Sequence, residues 1–336
     1  MKESTMSATA KRVMFGYIQT QTLHAVVKLG VPDILDAGPA SAGVLAERVR
    51  ARPDTLARAL DVLVRLGLFC RDEDGRYAHN EDSRCLSSAH PNSLADLLLF
   101  CARESYQTFA HLPEAVRTGE AVFPEAWGAP FWDHLEANPD RAALFARAME
   151  RQSEALLRKL ATDHDFGQYA EIVDVGGGKG QLFRPLAAAG VRPPCVVLDQ
   201  PSVTDAAQAY LAQEGLDHVR FTAGDFFMAV PEGAALYVLK FVLHDWADPE
   251  CLRILERVRE AMTKSPGAKL MVIELVRGGD PSPWSYLSDM LMLSTFGAME
   301  RSEAEFRVLL NAAGFEVEAV EAIAGAHYQI VAAPRS

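Results

Sequence analysis

The stretch that decides the fold is Glu171–Gln181, E-I-V-D-V-G-G-G-K-G-Q. An apolar run meets four glycines within five positions, Gly176 to Gly180. That is the pattern of a buried parallel strand breaking into a tight turn and then a helix. Glycines permit unusual dihedrals and let a ligand approach the backbone, and the first N–H groups of a helix stand free to receive it. A second apolar run, Cys195–Leu198, leads into Asp199, nineteen residues after Gly180. An acid at that strand end can accept hydrogen bonds from a ribose diol. Together the two features predict a nucleotide-like ligand.

Working outward toward the C-terminus, strands are expected near 171–175, 195–199, 218–221, 235–240 and 269–274, with helices near 179–189, 202–213, 249–263 and 302–313. Two late strands are expected near 315–320 and 327–332. Alternation of this kind is a Rossmann-like, doubly wound α/β domain, whose ligands sit outside the carboxyl ends of the strands. Gly176–Gly180, Asp199, Asp225, Lys240–Trp246 and Glu274 fall at those ends. Asp248-Pro249 reads as a helix start with Asp248 as N-cap, and Ser302 as another N-cap with Glu305 as its capping-box partner.

Toward the N-terminus, residues 1 to about 10 are polar or small and are expected to fray. Val13–Leu29 carries apolar residues on more than one helical face, which suits packing on a partner subunit. Residues 41–78 read as helix, turn, helix and a small hairpin around Asp72-Glu73-Asp74-Gly75, a winged-helix pattern. Pro53–Leu66 balances Arg58 and Arg65 against Asp54 and Asp61, and the wing is acidic, so dimerisation is the stronger reading over DNA binding. Residues 92–161 are mostly helical and rich in aromatics; most belong to a core, while some between Phe123 and Trp132 are candidates to line a pocket for a flat ligand. The expected division is a mostly helical winged-helix dimerisation domain over 1–160 and the Rossmann-like domain over 161–336.

The 336 residues are 49% hydrophobic and 23% charged, an ordinary globular balance. A net charge of -12 argues against general affinity for nucleic acid or anionic membranes. The five cysteines show no paired metal-ligand spacing and fit a reduced intracellular chain. No long apolar segment marks a secretory signal or a bilayer span, so a soluble, cytoplasmic protein is expected.

Five elements in order carry a family resemblance: V-D-V-G-G-G-K-G at 173–180, L-D-Q-P at 198–201, G-D-F-F at 224–227, K-F-V-L-H-D-W at 240–246 and M-E-R-S-E-A-E-F at 299–306. The chain resembles the small-molecule O-methyltransferases of the caffeate/hydroxyindole type, and in size and style their bacterial branch that tailors aromatic polyketides. The resemblance covers nearly the whole chain. It implies S-adenosyl-L-methionine as cofactor, an aromatic hydroxyl as acceptor and a homodimer. It also implies roles. Asp174, Gly176 and Gly178 match the loop that holds the methionyl and ribose portions, and Asp199 the ribose-binding acid. Gly224, Asp225 and Phe226 match the adenine site, and Lys240 a residue near the methionine portion. His244 matches the general base, and Glu274 and Glu300 the acids that flank it. Trp246, Asp289, Met290 and Met149 are the candidates to contact the acceptor. Lys179 departs from the usual threonine or serine and either contacts the cofactor carboxylate or faces solvent.

The chemistry explains these residue types. A sulfonium methyl is already electrophilic, so the protein must hold a nucleophile in line. A phenol with a pKa near 10 is largely neutral at pH 7. A histidine can take its proton, and a carboxylate behind the ring fixes its tautomer. No metal is required for this chemistry. Two other readings stand beside it: a methyltransferase-fold enzyme repurposed for hydroxylation or decarboxylation, which retention of His244 with both acids argues against, and a winged-helix regulator that binds a small ligand.

Overall fold

The structure, a computed structural model, describes residues 7–335. The fraying expected for residues 1–6 lies outside that range, and residues 8–10 already belong to a helix, Ala8–Met14, capped by the Ser7 side chain. The described residues form two compact units, one of residues 7–107 with 138–152, the other of 108–137 with 153–335. The division expected at 160 falls inside one continuous helix, Pro139–Asp163. Residues 108–137 group with the second unit because Phe131 packs edge-on against Phe296 at 5.0 Å and the Val122 N–H bonds the Ser294 carbonyl at 2.9 Å.

In the first unit, the helices Gly16–Lys28, Ala42–Val49 and Pro53–Arg65 enclose a core of Val26, Val31, Leu45, Leu56, Leu60 and Leu63. Strands β1 (Cys70–Arg71) and β2 (Tyr77–Ala78) pair antiparallel and form the expected wing. Asp61 accepts from the Tyr77 hydroxyl at 2.8 Å and pairs with Arg71, which ties the second helix to the wing. The surface keeps Val13, Met14, Phe15, Tyr17 and Ile18 exposed.

In the second unit, β3 (Ile172–Val175), β4 (Cys195–Asp199), β5 (Val219–Ala223), β6 (Leu236–Lys240), β7 (Lys269–Leu275), β8 (Phe315–Ala324) and β9 (His327–Pro334) form one sheet in the order β5-β4-β3-β6-β7-β9-β8. The first five are parallel; β9 joins β7 antiparallel and β8 closes the edge. β3, β4, β6 and β7 are buried on both faces, which is why they read as continuous apolar runs. Val173, Val175, Tyr237 and Leu239 enter one core, Ile172, Leu236 and Val238 the other. The strand order reverses between β3 and β6, the position where open α/β sheets hold their ligands.

Three local expectations need correction. The segment after the glycine turn is not yet helix: the helix is Phe183–Ala188, only six residues long, so loop amides rather than a helix start face the turn. Gly176, Gly178 and Gly180 all take positive φ, which keeps the chain coiled in turns that far. Asp248 is the first helical residue, with Ala247 at the cap, because its carboxylate serves the buried Arg301 instead. The helix Trp284–Phe296 was not expected; it buries Ser285, Ser288, Ser294 and Thr295 and exposes Trp284, Tyr286 and Leu287, the reverse of the usual pattern. The capping box of Ser302 and Glu305 forms as expected. Among the described residues no helix is long and apolar enough to cross a membrane.

Candidate active site

The glycine turn follows β3. Gly176 sits at φ 71, and a Cβ there would come within 2.9 Å of Val242 Cγ2 and 3.6 Å of Phe226 Cε1. The turn therefore lies against both the chain leaving β6 and the aromatic after β5. Asp199, at the end of β4, holds the turn: one carboxylate oxygen accepts from the Gly178 N–H at 2.7 Å, the other from the Gln200 N–H at 2.7 Å. Burial pushes its carboxyl up, with those two amides pulling the other way.

Asp174 is wholly buried, and neither carboxylate oxygen has a hydrogen-bond partner in the protein. Burial pushes its carboxyl up to about 7, against the pull of Lys240 and with a further push from Asp199. Lys240 ends β6 and shares a sheet face with Asp174 by strand alternation. Its ammonium lies 3.4 Å from Ser153 Oγ and 4.6 Å from the Phe241 ring centre. Burial pushes its pKa down, while Asp174 and Glu274 hold it up.

Beyond β5, one Asp225 oxygen accepts from the Phe227 N–H at 2.8 Å, so the loop-fixing role is present. Phe226 contacts Phe227 at 5.0 Å, and Trp246 meets Phe227 edge-on at 4.7 Å and Phe226 at 6.1 Å. Trp246, a candidate for acceptor contact, thus packs against Phe226, the aromatic expected at the adenine, and its neighbour Phe227. Gly224 is held close because a Cβ would meet Leu198 Cδ1 at 2.9 Å. The Lys179 ammonium lies 5.3 Å over the Tyr210 ring.

The chain leaving β6 turns sharply. Phe241, a bulky residue, adopts φ 55, a left-handed conformation that costs on the order of 1–2 kcal/mol. It reverses the chain into the single turn Leu243–Asp245 that carries His244. Glu274, one strand over and fully buried, accepts from the Val242 N–H at 3.0 Å and the Leu243 N–H at 2.9 Å through one oxygen. Its other oxygen lies 3.5 Å from His244 Nδ1. Glu300, also buried, approaches Nδ1 at 3.2 Å. A carboxylate can only accept, so Nδ1 carries a proton and Nε2 is the titrating nitrogen. Asp245 lies 3.4 Å from Nε2.

Burial alone would push the His244 pKa down. Glu274, Asp245 and Glu300 outweigh it and raise the imidazole to about 10. Burial also raises Asp245 to about 7, against His244 and with Glu274 and Glu300 adding to the rise. Donor atoms of His244, Glu274 and Glu300 lie within 4.8 Å of one another, a spacing able to hold a metal ion; imidazolium–carboxylate contacts account for it as well.

Several residues that sequence reasoning passed over build this corner. Ser288 donates to the Glu300 carboxylate at 2.7 Å. Asp289, a candidate for acceptor contact, uses one oxygen to accept from the Glu300 N–H at 2.9 Å and the other from Arg277 at 2.9 Å. Arg277 continues to Glu305 at 2.9 Å. Met290, next on the same helix, is half-buried, and Met149 belongs to the first unit. His327, at the start of β9, packs 5.6 Å from Phe241, which stacks 5.8 Å from His244. Its place was legible only through the β7–β9 pairing, which sets it beside Leu275 and one step from Glu274.

Comparison with known proteins now bears on this geometry. Residues 109–316 match the O-methyltransferase domain and residues 11–89 the O-methyltransferase dimerisation domain, which supports a homodimer. The mitomycin biosynthesis 6-O-methyltransferase of Streptomyces lavendulae is 36% identical, over 92% of this chain and 89% of its own. The 2,7-dihydroxy-5-methyl-1-naphthoate 7-O-methyltransferase of Streptomyces carzinostaticus is 34% identical, over 90% of each. Among solved structures, an O-methyltransferase from neocarzinostatin biosynthesis, in complex with S-adenosylmethionine and 2-hydroxy-5-methyl naphthoic acid, superposes with a TM-score of 0.82 at 32% identity, covering 94% of this chain and 95% of that one. The chain belongs to the S-adenosyl-L-methionine-dependent O-methyltransferases.

Proposed function

We propose that this enzyme methylates a hydroxyl of a planar aromatic metabolite of polyketide type, such as a hydroxynaphthoate, with His244 as general base. The observation that carries this reading is the imidazole placed with Nδ1 against Glu300 and Glu274 and Nε2 turned the other way, beside Asp245. One named relative is a 6-O-methyltransferase of mitomycin biosynthesis and another a 2,7-dihydroxy-5-methyl-1-naphthoate 7-O-methyltransferase, and the second favours a fused aromatic acceptor.

Bound S-adenosylmethionine supplies a methyl group on a sulfonium sulfur, and the acceptor oxygen takes it. The residues present suit that cofactor. Asp174 offers two buried oxygens that lack protein donors, which suits the ammonium and hydroxyl donors of the methionyl and ribose portions. Asp199 keeps further lone pairs at the end of β4 for ribose hydroxyls, and Asp225 with Phe226 suits the amine and ring of adenine. Gly176, Gly178 and Gly224 keep the backbone open to close approach, and Lys240 is the cation beside Asp174.

His244 Nε2 takes the acceptor's hydroxyl proton, and Nδ1 keeps its own proton directed at Glu300. Glu300 and Glu274 stabilise the imidazolium so formed. Met290 contributes apolar surface toward the acceptor, and Trp246 backs the aromatic group at the adenine side. In His244→Gln, turnover with methyl-labelled cofactor is expected to fall by about 10²–10⁴ while S-adenosylhomocysteine binds as in the parent. Parental turnover in that variant removes the general-base role. Label on a simple phenol but on no hydroxynaphthoate removes the assignment of acceptor class.

A further inference from the structure

The buried Arg301 guanidinium is 1% exposed, and no role in the reaction has been given to it above. Its donors go to the backbone on both sides of His244. Nη1 donates to the Leu243 carbonyl at 2.8 Å and Nη2 to the Trp246 carbonyl at 3.0 Å. Nε and Nη2 also reach one Asp248 oxygen, at 3.1 and 2.7 Å, which balances the charge. The Cys251 thiol approaches the same two carbonyls at 3.2 and 3.3 Å.

The turn is therefore gripped twice. Glu274 accepts from its entering N–H groups, and Arg301 donates to its carbonyls. Glu300, the residue just before Arg301, contacts the imidazole itself. Two consecutive side chains thus fix the ring and the backbone that carries it. The Arg277 N–H, two residues past the end of β7, bonds the Arg301 carbonyl at 2.9 Å.

We infer that Arg301 is a positioning residue for methyl transfer, setting where Nε2 of His244 stands relative to the acceptor. The inference rests on the general-base reading of His244. A planar fork that spans two carbonyls is a geometry lysine does not reproduce, since an ammonium is a single point of donation. A displacement of about 1 Å at a reacting group costs on the order of 10²-fold in rate.

The experiment is a double-mutant cycle of Arg301→Lys and Arg301→Gln with His244→Gln, alongside Asp248→Asn, in the full-length enzyme. Arg301→Lys retains the buried cation and is the variant that tolerates the fold best. Both Arg301 variants are expected to lower kcat by about 10–100-fold, with the KM for cofactor and the affinity for S-adenosylhomocysteine within about threefold of the parent. In the His244→Gln background the same substitutions are expected to have less than about a threefold effect, since the group they position is gone. Asp248→Asn leaves the carbonyl bonds in place and is expected to change kcat by less than about threefold. Parental kcat in Arg301→Lys and Arg301→Gln overturns the inference. So does an equal loss on both backgrounds, or loss of S-adenosylhomocysteine binding in both Arg301 variants, because either result makes Arg301 a support of the fold. Full turnover in His244→Gln alone identifies the failure as that of the base reading; low turnover there with an additive Arg301 effect identifies it as that of the positioning role.

Discussion

The two ends of adjacent strands β3 and β6 treat their polar groups in opposite ways. At the end of β3, Asp174 is buried with both oxygens lacking a protein donor. At the end of β6, the His244 turn is tied on every side, by Glu274 and Arg301 on its backbone and by Glu300 on its ring, with Ser288, Asp289 and Arg277 behind Glu300. A buried carboxylate without donors is costly and marks a place that gains from a ligand's donors. A fully tied imidazole marks a place where geometry must be set before the reaction begins. Lys240 stands between the two and feels both Asp174 and Glu274. Substitutions at the first end should therefore act on binding and stability, and those at the second on kcat.

The largest effect is expected from the acids behind His244. In Glu274→Gln, the amide oxygen would keep the Val242 and Leu243 N–H bonds and present its NH2 to Nδ1. That favours the tautomer with the proton on Nε2, which cannot take another. Glu300→Gln weakens the opposing pull in the same sense. Each is expected to lower kcat by about 10²-fold, and the pair by no more than loss of the base itself, about 10²–10⁴. Parental kcat in either variant, with unchanged cofactor affinity, would show that the carboxylate does not set the tautomer.

The pH profile sharpens the same end. Only the neutral ring accepts a proton, and three carboxylates hold the imidazole's pKa at about 10. The rate kcat/KM is expected to rise with pH from 6 to about 10 by up to tenfold per unit, and to level only above that. A flat profile over that range would show that the bound state already holds a neutral ring. The linkage for stability has a definite sign. A raised histidine pKa contributes stability that is full below about 6.5 and is lost as pH rises through about 10.

These contrasts were only half legible in the amino-acid sequence. The strands and the glycine turn were, because period and composition are local: continuous apolar runs and glycines at positive φ announce themselves within ten residues. His244 was legible through the motif that contains it. So, through the same resemblance, were the acids Glu274 and Glu300 that flank it; the grip of Arg301 on its turn was not. Arg301 reaches the Leu243 carbonyl from 58 residues away in the chain, beyond the range of any local pattern. The helix Trp284–Phe296 was hidden because its buried face is hydroxyls and its exposed face is apolar, so hydrophobic periodicity points the wrong way. Asp248 as cap failed for a related reason: a local rule was overridden by a distant buried arginine.

At the β3 end, Gly176→Ala tests close packing. The added Cβ would come within 2.9 Å of Val242 and sit at φ 71, strained on both counts. Cofactor affinity is expected to fall about tenfold with kcat at saturation within about threefold, since the contact lies at the turn. A pure kcat loss would reverse the assignment of the two ends. Asp174→Asn then separates binding from stability. The carboxyl titrates near 7 in the folded chain and near 3.9 when unfolded. Between those values the folded state holds the extra proton, so stability falls as pH rises. The asparagine variant is expected to melt about 2–4 °C higher than the parent at pH 8, with little difference at pH 4, and to bind the cofactor more weakly. An equal shift at both pH values would mean the carboxylate is not what the burial penalises.

The smallest effect is expected at Ser288, and its form matters more than its size. Its hydroxyl and the imidazole share one Glu300 oxygen, at 2.7 and 3.2 Å. Glu300 itself is held by its backbone through Asp289, so Ser288→Ala leaves the carboxylate in place and removes one donor from it. A carboxylate with fewer donors attracts the imidazolium more strongly, which raises the His244 pKa further. At pH 7 that lowers the neutral fraction, and turnover is expected to fall about two- to fivefold, the scale of one neutral hydrogen bond. Well above pH 10 the parent and variant are expected to converge, because the change is in protonation alone. If the deficit persists at high pH, the hydroxyl sets the direction of the Glu300 carboxylate as well as its charge, and the tied end of the site extends one residue further than the hydrogen bonds to His244 indicate.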